Sequence, residues 1–443
     1  MVAAGLTDAV TAATRFGYAA RTGELAAIVS DPRGWALRQL EHPAPPAARG
    51  LPAAAAMVAT MLEARQDKSE DGRKRLNQQL RALYLDELAA RVNDAVASET
   101  PLIERLTRFW SNHFTVSCIR PVIRGFAGAF EREAIRPHVT GRFVDLLLAA
   151  ERHPAMLFYL DQVASFGPNS RAGQRFGRGL NENLGREMLE LHTLGVDGGY
   201  NQADVEALAR ILTGWSIARL KDPDAGHFHF YPPIHEPGAK QLLGKTYREN
   251  GYAEGEAALR DLAAHPATAR HIATKLARHF IADEPPADAV RRIAGVFHDT
   301  GGDLKRVTAA VIREDAVWKA PFAKVRTPDE LMVSACRATG FVPPPPVLAD
   351  NLRSLDQPAL FAPSPAGWPD RAGDWIGPES TVRRAEWCRS FAGRIPNPPD
   401  PEMLADAVFG ETLSAETAQA IRRAPSRREA LALLLAAPEF QRR

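Results

Sequence analysis

Cysteine is scarce in this sequence, with three residues among 443: Cys118, Cys336 and Cys388. They lie far apart and form no CxxC pair, which argues against a disulfide framework and against a cysteine zinc site. Isolated cysteines of this kind are typical of small buried hydrophobic side chains. The sequence therefore predicts a fold that does not depend on cross-links.

An excess of charge of one sign and a long apolar run are also missing. Fifty-five basic and fifty-three acidic side chains leave a formal charge of +2, with the signs interleaved, so we expect no nucleic-acid partner. Asp8 interrupts the mildly apolar start and no basic segment precedes it. We therefore expect no signal peptide, no integral membrane segment and a cytoplasmic location. The sequence leaves the oligomeric state open.

Signatures of known chemistry are absent as well. We find no GxSxG, HExxH, Walker or dinucleotide-binding motif. The glycine- and arginine-rich stretch at 165–179 has no strand before it and no GK[ST], which argues against a phosphate-binding loop. Any reaction must therefore be inferred from individual side chains.

Apolar residues recur at helical spacing through nearly every segment, whereas alternating strand-like runs are rare. This pattern predicts a mainly α, multi-helical globular protein. In residues 219–251 aromatics, histidines, prolines and glycines replace the helical period, which favours an irregular loop with a short β-hairpin. A proline- and tryptophan-rich stretch at 342–380 predicts a long ordered loop. The chain could divide into helical subdomains at 1–218 and 252–443.

The segment "NENLGREMLELHTLG", residues 181–195, combines amides, carboxylates and a histidine with an apolar face. On a helical wheel an apolar arc is formed by Leu180, Leu184, Met188 and Leu191. Glu187 lies at one border of this arc, with Asn183 and Glu190 just beyond it, and His192 lies at the other. Glu187 could act as a base or metal ligand with a histidine from another segment. The alternative is a helix whose charged residues form ordinary salt-linked contacts.

The histidines offer further candidates. His227, His229 and His235, with the adjacent Glu236, have spacing compatible with a zinc-like site, although exposed loop histidines look the same. His113 stands among aromatics in "FWSNHF", an environment that suits a catalytic histidine and a core histidine equally.

A helical stripe of His271, Lys275 and His279 has arginines beside it at 270 and 278. The stripe is compatible with an anion pocket. It is also compatible with a half-buried structural His279, because His279 borders an apolar helix face. The lysine at its centre argues against a simple His-x-x-x-His metal pair.

Five segments, in this order, carry a resemblance to a known family: "RFWSNHF", "NENLGREMLELHTLGVDGGYNQADVEALARILTGW", "FHFYPPIHEPGAKQLLG", "HPATARHIATKLARHF" and "SPAGWPD". The sequence resembles the bacterial domain-of-unknown-function family 1800 from about Arg15 onward. The resemblance implies that the whole chain, 1–443, is a single family domain. It implies no established activity and no known catalytic residues.

The family pattern favours some of the candidate site residues over others. In the 219–251 region its motif matches Phe228, Phe230, His235, Glu236, Gly238 and Lys240. The other two histidines there fall at unspecified positions. In the 181–195 segment Asn183, Glu187 and Glu190 match, whereas His192 is often replaced by Phe. The resemblance also implies an export signal, whereas the residues at the start of this sequence lead us to expect none, and it implies a sulfatase-like partner of family 1501.

The leading hypothesis is an enzyme, or an enzyme subunit, that hydrolyses or modifies a polymer such as a polysaccharide or peptide. Its candidate pocket residues are His113, Asn183, Glu187, Glu190, His235 and Lys240. Glu187 or His113 would be the general base, His235 a ligand or acid, and Lys240 an anion clamp. A divalent metal, held by His235, Glu187 and His113, is an option. The alternative is a non-catalytic binding or maturation protein for a sulfatase-like partner.

Overall fold

Helices dominate the structure, as the scarcity of alternating patterns predicts. The computed structural model describes residues 2–42, 50–64 and 69–443 and is 64% helical. The described residues include twenty-four α-helices. In chain order these are α1 (Val2–Thr11), α2 (Glu24–Ile28), α3 (Pro32–Gln39), α4 (Ala54–Ala64), α5 (Glu70–Ala97), α6 (Pro101–His113), α7 (Ala127–Phe130), α8 (Phe143–Arg152), α9 (Pro154–Tyr159), α10 (Arg171–Phe176), α11 (Asn183–Glu187), α12 (Gln202–Leu212), α13 (Tyr252–Ala264), α14 (Pro266–Phe280), α15 (Ala287–Asp299), α16 (Leu304–Arg313), α17 (Asp315–Lys319), α18 (Pro328–Thr339), α19 (Pro345–Ser354), α20 (Pro378–Arg394), α21 (Pro401–Phe409), α22 (Ala415–Arg423), α23 (Arg427–Ala436) and α24 (Pro438–Gln441).

Shorter helical turns join these helices. Three are π-helical: Ala12–Phe16, Glu131–Ile135 and Met188–His192. The 3₁₀ turns are Pro121–Gly125, Arg136–His138, Gln162–Ala164, Pro232–Ile234, Ala372–Asp374 and Gly410–Thr412.

Two small antiparallel hairpins lie in and beside the region predicted to be irregular. The first pairs β1 (Trp215–Ile217) with β2 (Phe228–Phe230), and the second pairs β3 (Lys240–Leu242) with β4 (Lys245–Tyr247). Helix α12 therefore ends before Trp215, although Trp215 continues the apolar helical spacing of Val205, Leu208 and Leu212. The chain leaves the helix at Thr213, whose ψ is 143°, and Gly214 follows with a φ of +94°.

At the start of α12 the sequence has the pattern of a capping box, Asn201 with Asp204 three residues on, and the structure forms it. The side chain of Asn201 accepts hydrogen bonds from the backbone N–H of Ala203 (2.8 Å) and Asp204 (3.2 Å). The carboxylate of Asp204 accepts the N–H of Asn201 at 3.0 Å in return. These reciprocal bonds satisfy donors that the first helical turn would otherwise leave unpaired.

The segment that begins at Asn183 is not a uniform α-helix. Helix α11 passes into the π-helical turn Met188–His192. Leu184, Met188 and His192 are fully buried, whereas Leu191 is partly exposed. The wider π turn shifts the phase of the helix, so Leu191 leaves the apolar arc that an ideal wheel predicts for it.

A continuous hydrophobic core extends from Ala9 to Phe440. Helix α6 lies deep within this core, and all but two of its thirteen residues are buried. In the described part of the chain, no helix is both long enough and apolar enough to cross a membrane.

Candidate functional site

A polar cavity of ≈ 270 Å³ lies beside the buried helix α6, and we call it the central cavity. Its wall is formed mainly by α6 and the residues after it, α14, the start of α18, and the segments 357–362 and 366–370, and Tyr18 and Arg91 of α5 also contribute. Its lining arginines, lysines, histidines and carboxylates are Arg91, Arg105, Arg108, His113, Lys275, Arg278, His279, Asp329, Glu330 and Asp370. Three of the five family-like segments, "RFWSNHF", "HPATARHIATKLARHF" and "SPAGWPD", thus meet at this cavity.

Ion pairs between α6 and α18 form one side of the wall. Arg105 contacts Glu330, and Nε of Arg108 donates to Asp329 at 2.9 Å. Nη1 of Arg91 also donates to Asp329, at 3.0 Å. Burial alone would raise the pKa of Asp329, but Arg91 and Arg108 hold it below its usual value. Asp329 therefore stays ionised, and together with Glu131, which lies 3.0 Å from Nε of Arg91, it balances the charge of both arginines.

Behind this wall lies a cluster of buried arginines, which we call the arginine cluster: Arg15, Arg105, Arg326 and Arg443. Glu330 contacts Arg105 and accepts Nε of Arg443 at 3.0 Å. Arg15 and Arg326 donate instead to backbone carbonyls, such as those of Phe280 (2.8 Å) and Tyr18 (2.8 Å). The cluster therefore has more positive than negative charge, which favours anions in the adjacent cavity.

Lys275 and Arg278 differ from the other charged groups of the wall. They lie one turn apart on α14 and both line the central cavity. Arg278 donates Nε to the carbonyl of Asp283 at 3.2 Å. Among the described residues no carboxylate pairs with either side chain, whereas every other charged wall residue has a partner of opposite sign. These two cations are free to receive an anion.

The environment of Lys275 changes its protonation. Burial lowers the pKa of Lys275 to about 8, and the positive charge of Arg278 adds to this effect. The carboxylate of Asp370 opposes the shift without making an ion pair with the amine. A lysine with such a pKa exchanges its proton close to neutral pH, which suits acid–base chemistry.

His113, predicted as a catalytic or core residue, ends α6 and lines the cavity. Its ring is buried, and Nε2 donates to the carbonyl oxygen of His192 at 3.1 Å. Nδ1 is buried without a hydrogen-bond partner. Burial lowers its pKa well below the usual value, and Lys275, His271 and His192 add to the shift. His113 is therefore a neutral, enclosed histidine at the edge of the cavity.

On α14, His279 pairs with Asp370 from the loop between α19 and α20. Nδ1 of His279 lies 2.7 Å from Oδ2 of Asp370. Burial would raise the pKa of Asp370, but His279 and Lys324 hold it at about 2. The pair therefore joins an ionised carboxylate to α14.

Asn112 holds the same loop in place at Trp368. Its Oδ1 accepts the N–H of Trp368 at 2.7 Å, and its Nδ2 donates to the Trp368 carbonyl at 2.9 Å. Gly367 has a φ of +81°, and a side chain there would meet the carbonyl oxygen of Asn112. Trp368 is thus fixed as part of the cavity wall.

Two other predicted site residues, His235 and Lys240, form a separate buried cluster. Nζ of Lys240 lies 3.3 Å from Nε2 of His235 and 3.1 Å from Oε2 of Glu254. Nδ1 of His235 donates to the carbonyl of Thr213 at 2.7 Å. These contacts connect the hairpin region to α13, and Lys240 is paired with the carboxylate of Glu254. The sequence reasoning missed Glu254, which carries no motif signal.

The candidates in α11 and the following turn lie elsewhere. Asn183 is exposed, and Glu187 and Glu190 are half-buried. Burial raises the pKa of Glu187, His192 lowers it and Glu190 raises it further. His192 itself is fully buried, with Nδ1 2.6 Å from Oε1 of Glu151.

The part of the chain that the structure describes has no cluster of metal-binding side chains. No three His, Cys, Asp or Glu side chains there are grouped so that they could hold a metal ion. His113 contacts His192 and His271, whereas His235 contacts Lys240 and Glu254. His227 is exposed, and His229 packs on Tyr231. Glu236 accepts two hydrogen bonds from Asn169, at 2.9 Å and 2.6 Å.

The sequence reasoning found part of the central cavity. It named His113 and the stripe of His271, Lys275 and His279. It did not predict that His113, Lys275 and His279 line one cavity. Asp370 and Trp368 lie in the family-like segment "SPAGWPD", so that segment was the signal that could have identified them.

Comparison with known families and proteins gives one result. The model of a family described as protein of unknown function (DUF1800) matches residues 11–442, nearly the whole chain. No curated protein and no solved structure matches the chain.

Proposed function

The chain belongs to the DUF1800 family, and we propose that it is an enzyme that binds an anionic stretch of polysaccharide or peptide in the central cavity. One observation carries the proposal: Lys275 and Arg278 line this cavity, and neither has a carboxylate partner among the described residues. Unpaired cations in a partly enclosed polar cavity attract anions strongly, because water screens their charge less there than at the surface.

The two cations have different roles in the proposal. The guanidinium of Arg278 binds a carboxylate or phosphate of the substrate, since its planar geometry suits two parallel hydrogen bonds. Lys275 transfers the proton, because its pKa of about 8 lets it give up and regain a proton near neutral pH. The excess positive charge of the arginine cluster keeps the anion in the cavity.

Proton transfer is assigned to Lys275 in preference to the residues that the sequence favoured. Lys275 is partly exposed in the cavity. The ring of His113, in contrast, is buried, and its pKa is well below the usual histidine value. Lys240 cannot serve as the anion clamp while it is paired with Glu254. The proposal includes no metal ion, because the described residues provide no group of three ligands.

A chain-like substrate is supported by a second cavity of ≈ 270 Å³, which we call the outer cavity. Trp368 and Pro369 line both cavities. Trp375 and Arg383 belong to the wall of the outer cavity, and the rings of Trp368 and Trp375 lie 5.9 Å apart. A polymer bound at Arg278 therefore has room on both sides of Trp368.

The test is turnover of defined anionic polymers, such as polygalacturonate and poly-L-glutamate, measured as new reducing ends or new amines. We expect Lys275→Met to lower kcat by about 100-fold or more. Arg278→Met should raise KM by about tenfold, the loss of one charge-assisted contact. Lys245→Met is the matched control, because Lys245 is exposed and pairs with Asp261.

Two results would contradict the proposal. Full activity of Lys275→Met would remove Lys275 from the reaction. Binding of the polymers without turnover by the wild-type protein would favour a non-catalytic binding protein instead.

A further inference from the structure

We infer that Lys275 is a carbonyl-reactive amine, which forms an imine with an aldehyde or ketone group of a ligand whose anionic group is bound by Arg278. This inference rests on the proposed function for the anion site, and it adds the chemical class of the ligand. It comes from a comparison of the lysines of the chain and from the geometry of α14.

The amine of Lys275 is available in a way that other sheltered lysines are not. Lys240 and Lys324 are also withdrawn from solvent, but each is paired with a carboxylate: Lys240 with Glu254, and Lys324 with Asp283. Lys275 makes no such pair in the described structure and lines the central cavity. An amine held by a carboxylate keeps its proton and has no lone pair to donate, whereas a free amine can attack.

The surroundings of Lys275 favour its neutral form. Arg278 and His271 lie on the same helix, His113 on α6 and Asp370 on the loop before α20. Burial and Arg278 lower the pKa of Lys275, and only Asp370 opposes them. Lysines activated by burial beside another cation are the ones that form imines with carbonyl substrates.

The spacing on α14 sets the size of the ligand. Residues three apart on a helix have Cβ atoms about 5–6 Å apart, so Arg278 can bind an anionic group while Lys275 reaches a carbonyl a few bonds away. Phe109 and Trp368 add aromatic surface to the same cavity. The ligand class is therefore a small anionic aldehyde or ketone, or a chain end that carries both groups.

The reaction balances without any further reactant. The nitrogen lone pair of Lys275 adds to the carbonyl carbon and forms a C–N bond. The carbonyl oxygen takes up the two hydrogens of the amine and leaves as water, and a C=N bond remains. Asp370 lies close enough to stabilise the positive charge when this nitrogen is protonated.

The test uses pyridoxal 5′-phosphate as an anionic aldehyde probe and pyridoxal as its uncharged counterpart. Adducts on the full chain are reduced with borohydride and located by peptide mass mapping. We expect pyridoxal 5′-phosphate to label Lys275 at least about tenfold faster than the exposed Lys245. Lys275→Arg, which keeps the charge, should lose this adduct, whereas Lys245→Met should keep it.

Arg278→Met separates the two parts of the inference. It should slow labelling by pyridoxal 5′-phosphate about tenfold and leave labelling by pyridoxal nearly unchanged. Labelling spread over the exposed lysines, without preference for Lys275, would overturn the imine. If pyridoxal 5′-phosphate binds reversibly and competes with inorganic phosphate but leaves no adduct on Lys275, the imine inference fails and the anion site of the proposed function stands. Equal labelling of Lys275 by both probes would instead overturn the role of Arg278.

Discussion

Nδ1 of His279 and Oδ2 of Asp370 lie 2.7 Å apart and connect α14 to a loop that is ninety-one residues further along the chain. The same carboxylate lies near Lys324, at 3.5 Å. Both faces of the central cavity thus depend on one partly buried carboxylate, since α14 carries Lys275 and the loop carries Trp368.

Replacement of Asp370 by Asn should destabilise the protein by about 2–3 kcal/mol, because His279 and Lys324 lose a charged partner in a buried site. Since the folded pKa of Asp370 is about 2, below that of the unfolded chain, its contribution is present above about pH 4. It is lost as the pH falls through about 2. Urea unfolding of wild type and Asp370→Asn at pH 7 measures the difference.

Asp374→Asn is the control for this substitution, because Asp374 is exposed on the same stretch of chain. We expect it to change the free energy of unfolding by less than about 0.5 kcal/mol. Equal effects of the two substitutions would contradict the structural importance of the Asp370 pair.

Replacement of Glu254 by Gln tests the cluster of His235 and Lys240. The change leaves the buried ammonium of Lys240 without its carboxylate, so we expect a loss of about 3 kcal/mol in stability. Glu284→Gln, which removes an exposed pair with Arg371, should cost less than about 1 kcal/mol. Thermal and urea unfolding of both variants give the comparison. A stable Glu254→Gln protein with altered kinetics would instead favour a catalytic role for His235 and Lys240.

Acid should destabilise the fold well before the carboxylates titrate. Burial lowers the pKa of His113, and it lowers that of His271 to about 4. The unfolded chain therefore binds more protons than the folded chain below the ordinary histidine pKa of about 6.5. These two histidines contribute no pH dependence well above this pH, and the stability they give should be lost as the pH falls from about 6.5 toward 4.

His113→Gln removes one group that takes up a proton on unfolding at acidic pH. The free energy of unfolding should therefore depend less steeply on pH, by about 1.4 kcal/mol per pH unit for this one proton. His298→Gln is the matched control, because the His298 side chain is 62% exposed. Free energies of unfolding between pH 8 and pH 4.5 measure both slopes. The same slope in all three proteins would show that His113 is protonated as readily in the folded chain as in the unfolded chain.

The helical fold could be predicted from the sequence because its signals are local. Periodicity predicted the helices, and Asn201 with Asp204 predicted the start of α12 by a hydrogen-bonding pattern that spans four residues. The π turn after α11 was not predictable in this way. An ideal wheel assumes a constant angle per residue, so it placed Leu191 wrongly.

The central cavity could be predicted only in part, since its contacts join distant segments. Arg105 and Glu330 are 225 residues apart. In the sequence Glu330 looks like the third helical residue of a capping box after Thr327, which it also is. Local spacing likewise identified Lys275 within a stripe, but its lack of a carboxylate partner follows from the tertiary structure alone.

The arginine cluster has a consequence for the order of folding. Arg15 donates to carbonyls at Phe280, Ile281, Ala320 and Arg443, the last of which is 428 residues away. During synthesis the earliest of these partners therefore emerges only after more than half of the chain. Contacts across such long loops form late and slow the search for the native state. We expect the N-terminal helices to stay loosely packed and accessible to chaperones until the last helices have been synthesised. Only then can the two ends of the chain pack into one core.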